Sequence, residues 1–229
     1  MNKYTGIIVA MEEELLPIKN IMQEVEIKTV YGLEFYEGNV KDKQYVLVRS
    51  GIGKVNAARA AQAMIDNYDL DYVINIGSAG GLHDELNIYD FVIGKDIVQH
   101  DFDITAFGHE KGFITGIGTS LHSSDELIEE YSKALQGLEG SSFKVKVGTI
   151  ATGDKFFTDT KSKEMLKGEF NADCVDMEAA AIAQVCTLCN IPFVIIKSIS
   201  DKPNGANHIE FAEYLKEVSK RCAELIRNI

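Results

Sequence analysis

Carboxylates at the ends of apolar runs are the residues of this sequence best placed to do chemistry, because acid–base work needs a proton donor or acceptor held at the edge of a rigid scaffold. Glu12, Glu13 and Glu14 follow the run Tyr4 to Ala10, Asp176 and Glu178 flank Met177 ahead of an alanine-rich stretch, and Asp201 closes the run Phe193 to Ile199. Each also has a structural explanation. A helix start favours acidic residues through its macrodipole, which accounts for most runs like Glu12 to Glu14 and leaves room for one catalytic member. Asp176 can be an N-cap and Glu178 a first-turn residue of the next helix, a reading about as strong as a functional one. Asp201 is harder to explain structurally, since its strand should lie deep in a sheet. Capping of the loop Lys202-Pro203-Asn204-Gly205 is the competing explanation.

Two glycine-rich segments could bring a ligand close to the backbone. Gly77-Ser78-Ala79-Gly80-Gly81 follows Val73 to Ile76 and holds more small residues than a plain turn requires, which favours a ligand floor. Ser50-Gly51-Ile52-Gly53-Lys54 ends a strand and opens a helix, where amides attract anions. The phosphate fingerprints fail there: a P-loop needs Gly where Val48 stands, and the dinucleotide motif needs Gly where Asn56 stands. A tight turn into a packed helix explains the segment as well. Phe156 and Phe157 follow Thr152-Gly153-Asp154 in a polar loop, and neighbours in a strand cannot share one core face, so one of them should meet a ligand. Phe107 and Phe211 read equally as ligand contacts or as ordinary anchors. No two of the 5 histidines have metal-ligand spacing, so no metal and no cofactor is assigned. The cysteines at 174, 186, 189 and 222 read as reduced, buried packing residues, because the CxxC pair lacks a second pair.

The elements that must position these residues alternate along the chain. Ile- and Val-rich runs at Tyr4 to Ala10, Tyr45 to Arg49, Tyr72 to Ile76, Phe91 to Val98, Val145 to Ile150 and Phe193 to Ile199 predict strands. Helical spacing appears at Glu13 to Gln23, Lys54 to Tyr68, Ser124 to Leu138, Asp159 to Phe170, Met177 to Cys189 and Glu210 to Ile229. Strands that are apolar throughout are buried on both faces, so the expected fold is α/β, a central sheet between helical layers with parallel crossovers. Leu33 to Val40 and Tyr45 look like a hairpin through Lys41-Asp42-Lys43, which makes the sheet mixed. Ligands in such sheets sit beyond the carboxyl ends of strands, where the carboxylates and glycines fall.

With 229 residues, 3 prolines and no linker or repeat, a single domain over 1–229 is expected. The net charge of -12 repels nucleic-acid backbones and anionic membranes and suits a neutral or zwitterionic small molecule. Gly6 to Met11 is too short and too soon acidic for a signal-peptide core, and no segment looks able to span a bilayer, so a cytoplasmic protein is expected.

Taken together and in order, Gly6 to Glu14, Ser50 to Lys54, Asn75 to Gly81, Asp103 to Gly108, Gly153 to Phe157, Asp176 to Ala183 and Ser198 to Asp201 resemble the 5'-methylthioadenosine/S-adenosylhomocysteine nucleosidases, within the wider purine nucleoside phosphorylase family. The resemblance covers essentially the whole chain. It implies a three-layer α/β/α sandwich around a mixed sheet, a homodimer with pockets near its interface, and hydrolysis of the N-glycosidic bond of 5'-methylthioadenosine and S-adenosylhomocysteine, a reaction that could serve methionine salvage, relief of methyltransferase inhibition or supply of a signalling precursor. By the same resemblance Glu14 activates the attacking water, Glu178 holds the ribose hydroxyls, and Asp201 protonates N7 of the leaving adenine. Phe156 stacks on adenine, the backbone around Phe157 reads its edge, and Ser200 orients Asp201. Ser78, Ala79 and Gly80 line the floor. Met11, Met177 and Phe211 surround the ribose and 5'-thioether, and Phe107 reaches the neighbouring subunit's pocket. Many members carry Glu-Met-Glu where this chain has Asp176-Met177-Glu178, so a ribose contact from the shorter Asp176 is not assigned.

These roles make chemical sense. Adenine leaves poorly as an anion, so N7 must be protonated, while an oxocarbenium-like ribose needs water aligned on the opposite face, as in inverting glycosidases. Asp201 must then hold a proton near neutral pH, which burial beside the sheet could arrange. The rival on the same fold is a phosphate-dependent nucleoside phosphorylase, for which Arg49 is the only candidate anion holder. A sensor that has lost the chemistry is the other alternative, and it would lack one of the three carboxylates. 5'-Deoxyadenosine and aminodeoxyfutalosine share adenine and ribose with the two main substrates, so sequence alone does not separate them.

Overall fold

The computed structural model describes residues 3–138, 143–157, 159–202 and 211–229. In chain order its elements are β1 (Tyr4–Val9), α1 (Glu12–Ile21), β2 (Gln23–Val30), β3 (Leu33–Val40), β4 (Lys43–Arg49), α2 (Lys54–Asn67), β5 (Leu70–Gly81), β6 (Phe91–Gln99), β7 (Leu121–His122), α3 (Asp125–Gln136), β8 (Val145–Thr152), α4 (Thr160–Phe170), β9 (Cys174–Asp176), α5 (Ala179–Leu188), β10 (Phe193–Asp201) and α6 (Phe211–Asn228). One turn of 3-10 helix covers Thr105–Phe107. Glu210, expected to open the last helix, lies outside the described residues, as do Pro203, Asn204 and Gly205 of the loop whose capping is the competing explanation for Asp201.

The strands form one mixed sheet. β5 pairs in parallel with β1 on one side and β10 on the other, while β10 pairs antiparallel with β6. β6 continues in parallel to β8, β8 to β9, and β9 returns antiparallel to the far end of β5. That part of the sheet therefore closes into a ring, and β1, β4, β3 and β2 extend from it as an open wing. The β3–β4 hairpin forms as expected, turning at Lys41 and Asp42.

Alternate residues of the central strands feed two cores. Ile7, Val9, Ile74, Ile76, Val194 and Ile196 pack with Leu15 and Ile18 of α1, Leu127 and Tyr131 of α3, and Tyr214 and Val218 of α6. Ile8, Val73, Phe193 and Ile195 pack on the other side with Ala57, Ala60 and Ala61 of α2 and Ala179, Ala180 and Ile182 of α5. Helices thus cover both faces, as continuous apolar strands require. Each fully buried Leu, Ile or Phe side chain contributes roughly 1.5–3 kcal/mol of transfer free energy to this layering.

The structure departs from the sequence pattern in four places. The helix expected over Glu13 to Gln23 stops at Ile21, and Gln23 begins β2, an edge strand whose side chains are mostly exposed and so carry no apolar alternation. β5 does not end at Ile76. It runs on to Gly81 because β10 and β9 supply partners for Gly77 to Gly81, so the small residues are strand rather than turn. Cys174–Asp176, expected only to lead into a helix, is a short strand between β8 and β5. Cys189, expected to be buried, is the part-exposed C-cap of α5, whereas Cys174, Cys186 and Cys222 are buried, and all four are free. Among the described residues no helix is long and apolar enough to cross a membrane, and no group of three or more His, Cys, Asp or Glu is arranged to hold a metal ion.

Candidate active site

One cleft gathers the carboxyl ends of β1, β5, β9 and β10. Met11, Glu14, Ser78, Ala79 and Gly80 line it, as do Phe156, Phe157, Met177, Glu178, Ser200, Asp201 and Phe211. Of the residues given catalytic or substrate-binding roles by the resemblance, Phe107 alone stands apart. It sits on the 3-10 turn and is 82% exposed.

Only one of the three consecutive glutamates turns inward. Glu12 pairs with Arg49 at 3.2 Å on the surface and Glu13 is exposed, but Glu14 is buried. Its Oε2 accepts the amides of Ala10 and Met11, both at 3.0 Å, and its Oε1 accepts the amide of Ser78 at 3.1 Å. α1 therefore holds Glu14 against the strand exit that precedes it, and β5 holds it from the side. Gly77 makes room, since a Cβ there would lie 2.8 Å from Glu14 Oε1. Burial raises the proton affinity of Glu14 above the usual carboxylate range, although Lys197 and these amides pull the other way.

Glu178 is the N-cap residue of α5 and is also buried. The amide of Gly53 donates to its Oε1 at 2.9 Å. Gly53 has φ +97, a conformation that a side chain would oppose, so the turn before α2 is shaped to aim that amide. The Lys54 amide likewise donates to Asp154 at 2.8 Å. The segment that resembled a phosphate cradle thus gives two of its amides to the chain's own carboxylates. Burial first, then the neighbouring Asp176, pushes the Glu178 carboxyl up to about 7.

Asp176 faces inward beneath Glu178, and its oxygens are occupied. Oδ1 accepts from Thr152 Oγ1 at 2.6 Å, and Oδ2 accepts from the Ala179 amide at 2.9 Å and from Lys197 Nζ at 2.8 Å. It thus works as a helix-start acceptor and as the anchor of a buried ion pair. Lys197 was not singled out from the sequence, although a lysine inside an apolar strand is a signal in itself, because lysine is rarely buried unpaired. Burial opposes its charge, but Asp176, Glu178 and Glu14 outweigh that cost and raise it overall.

Asp201 sits in a different environment from the one expected. Its side chain is 38% exposed rather than buried, and Lys163 of α4 ion-pairs with it. Ser200 Oγ lies 2.7 Å from Asp201 Oδ1 and 3.1 Å from the Ala79 carbonyl oxygen, and Gly80 leaves open the space a Cβ would fill 3.4 Å from Oδ1. Lys163 falls in a polar helical stretch, where nothing in the sequence marks it. The phenylalanine pair divides as anticipated: Phe157 is 7% exposed and packs on His100, while Phe156 is 71% exposed at the cleft. Arg49 opens onto a separate surface depression with Glu12, and among the described residues no arginine lines the carboxylate cleft.

Comparison with known proteins shows the family and the fold. Residues 4–229 match the family model described as the phosphorylase superfamily. The 5'-methylthioadenosine/S-adenosylhomocysteine nucleosidase of Bacillus subtilis is 39% identical over 225 residues, covering 98% of this chain and 96% of that protein. The Colwellia psychrerythraea nucleosidase of the same name, solved in complex with adenine, superposes with a TM-score of 0.92 at 35% identity, covering 100% of this chain and 94% of that one. A futalosine hydrolase mutant from Helicobacter pylori superposes with a TM-score of 0.87 at 29% identity, covering 98% and 97%.

Proposed function

The chain belongs to the phosphorylase superfamily, and within it to the 5'-methylthioadenosine/S-adenosylhomocysteine nucleosidases, and from that premise we propose that it hydrolyses the N-glycosidic bond of those two nucleosides. The products are adenine with methylthioribose or with S-ribosylhomocysteine. The observation that carries the reading is a cleft in which Glu14, Glu178 and Asp201 converge, with no arginine among its described lining residues, Lys197 already paired with Asp176 and Lys155 over the Phe157 ring. Water is then the nucleophile. Glu14, whose proton affinity is raised, aligns it and takes its proton as it attacks C1'. Glu178 accepts the ribose hydroxyls in its ionised form, and Asp201 gives a proton to N7 so that adenine leaves neutral. This division puts the base and the acid on opposite faces of the sugar.

The remaining contacts serve orientation. Phe156, free to lie flat over a base, stacks on adenine, and the backbone at Phe157 reads the purine edge. Ser200 steers Asp201 through the 2.7 Å contact. Ser78, Ala79 and Gly80 form a floor thin enough for the sugar to approach, and Met11, Met177 and Phe211 enclose the ribose and 5'-thioether. The enzyme works as a homodimer in the cytoplasm, with Phe107 entering the partner's pocket, and serves methionine salvage. 5'-Deoxyadenosine and aminodeoxyfutalosine are further substrates, because the carboxylates address only adenine and ribose.

The test is adenine release from methylthioadenosine and S-adenosylhomocysteine in phosphate-free buffer and again with added phosphate. Equal rates are expected. Release that depends strictly on phosphate would replace hydrolysis with phosphorolysis, and no release from either nucleoside would withdraw the catalytic assignment.

A further inference from the structure

A buried ammonium touches the carboxyl group that this reaction needs as its proton donor. Lys163 lies near the N-terminal end of α4 and is 3% exposed. Its Nζ contacts Oδ2 of Asp201 and lies 3.4 Å from the carbonyl oxygen of Lys202. The other carboxyl oxygen, Oδ1, faces Ser200 Oγ at 2.7 Å. Neither helix stability nor packing accounts for a lysine at this position. A cation near a helix N-terminus is opposed by the macrodipole, and a buried one needs a partner. Asp201 is that partner.

We propose that Lys163 is a positioning residue that latches Asp201 through its Oδ2, and that purine binding must release the latch before the glycosidic bond is cut. This rests on the reading of Asp201 as the donor to N7. The carboxyl group can give a proton only while it carries one, and an ammonium in contact with Oδ2 competes with a proton for that oxygen. The Lys202 carbonyl gives the ammonium a second acceptor within reach, so a small rotation of the lysine side chain frees Oδ2. An incoming purine therefore exchanges a charge-assisted contact for a neutral one, and the cost appears as weaker binding. Lys163 acts through Asp201 and need not touch the substrate.

Calorimetric titration of adenine into the wild type, Lys163→Met, Asp201→Asn and the double variant separates the possibilities, because the cycle isolates the coupling between the two side chains. Lys163→Met should bind adenine roughly tenfold more tightly, the scale of one charge-assisted hydrogen bond no longer displaced. KM for methylthioadenosine should fall in parallel. The gain should vanish in the Asp201→Asn background, and Lys163→Arg, which keeps the charge, should retain the wild-type affinity. A lysine of purely structural worth would lower Tm and leave adenine affinity unmoved. That result, or a gain that survives without the Asp201 carboxylate, overturns the latch. If Lys163→Met does not fold, Lys163→Gln enters the same cycle with the same expectation. Full turnover by Asp201→Asn would instead overturn the donor role, which the adenine titration does not measure because binding requires no proton transfer.

Discussion

Asp201 differs from the other two cleft carboxylates in having a hydroxyl on one oxygen and an ammonium on the other, and as the proposed proton donor it is the group whose loss should be felt most in the chemical step. Asp201→Asn keeps the size and the Ser200 contact and removes the transferable proton. The catalytic rate should fall by at least the ~100-fold typical of losing a general acid, with adenine still bound; near-wild-type turnover would rule the role out. Glu178 leads to a prediction about stability. Its carboxyl binds protons more tightly in the folded protein than its ordinary value of 4.5, up to about 7, so folding takes up a proton between those pH values. Wild-type stability should therefore decrease as pH rises through that window, and Glu14 acts in the same direction. Glu178→Gln can still accept the Gly53 amide and should raise Tm by a few degrees at pH 8, with little change at pH 4.5, in calorimetric melts. A Tm difference independent of pH would mean that the carboxylate charge is not the cause. Among residues, the carboxylates were legible because acidic groups ending apolar runs are conspicuous. Lys163 was not, because a lysine in a polar helix reads as surface until the strand it faces is known.

At the scale of elements, the site depends on β5 continuing as a strand through Gly77, Ser78, Ala79 and Gly80. Those residues were recognised as a floor, but the apolar pattern ended at Ile76, and it takes the pairing with β10 and β9 to explain why the backbone stays extended. β2 escaped detection for the opposite reason: an edge strand with mostly exposed side chains needs no apolar face. The six central strands and six helices were readable from period and composition because both sheet faces are buried under helices. Gly77 ties β5 to α1. A methyl group there would stand 2.8 Å from Glu14 Oε1, while Glu14 is held by amides at Ala10, Met11 and Ser78 and cannot retreat freely. Gly77→Ala should lower kcat by about 10- to 100-fold, the effect expected when a catalytic group is displaced by about an ångström, while circular dichroism shows the fold retained. An unchanged kcat would show that the exact placement of Glu14 is unimportant.

At the scale of the whole molecule, Phe107 gives the proposed dimer a measurable signature. It is 82% exposed on a short turn and absent from the lining of its own cleft, so its proposed contribution requires a second copy. Phe107→Ala should raise KM for methylthioadenosine by about tenfold, on the scale of one lost aromatic contact, while light scattering still reports a dimer. An unchanged KM would exclude Phe107 from the partner's pocket. The closed ring of strands has a consequence for how the molecule is made. Among the described residues β10 is the last strand in chain order, yet it fills the gap between β5 and β6 and carries both Lys197 and Asp201. While a ribosome is still short of residue 193, the nascent chain holds β5 and β6 with facing edges unpaired and a cleft without Asp201. The sheet closes and the cleft gains Lys197 and Asp201 in one event, when β10 is added. A chain truncated before that point presents two apolar strand edges to its neighbours, the form in which unfinished sheets aggregate.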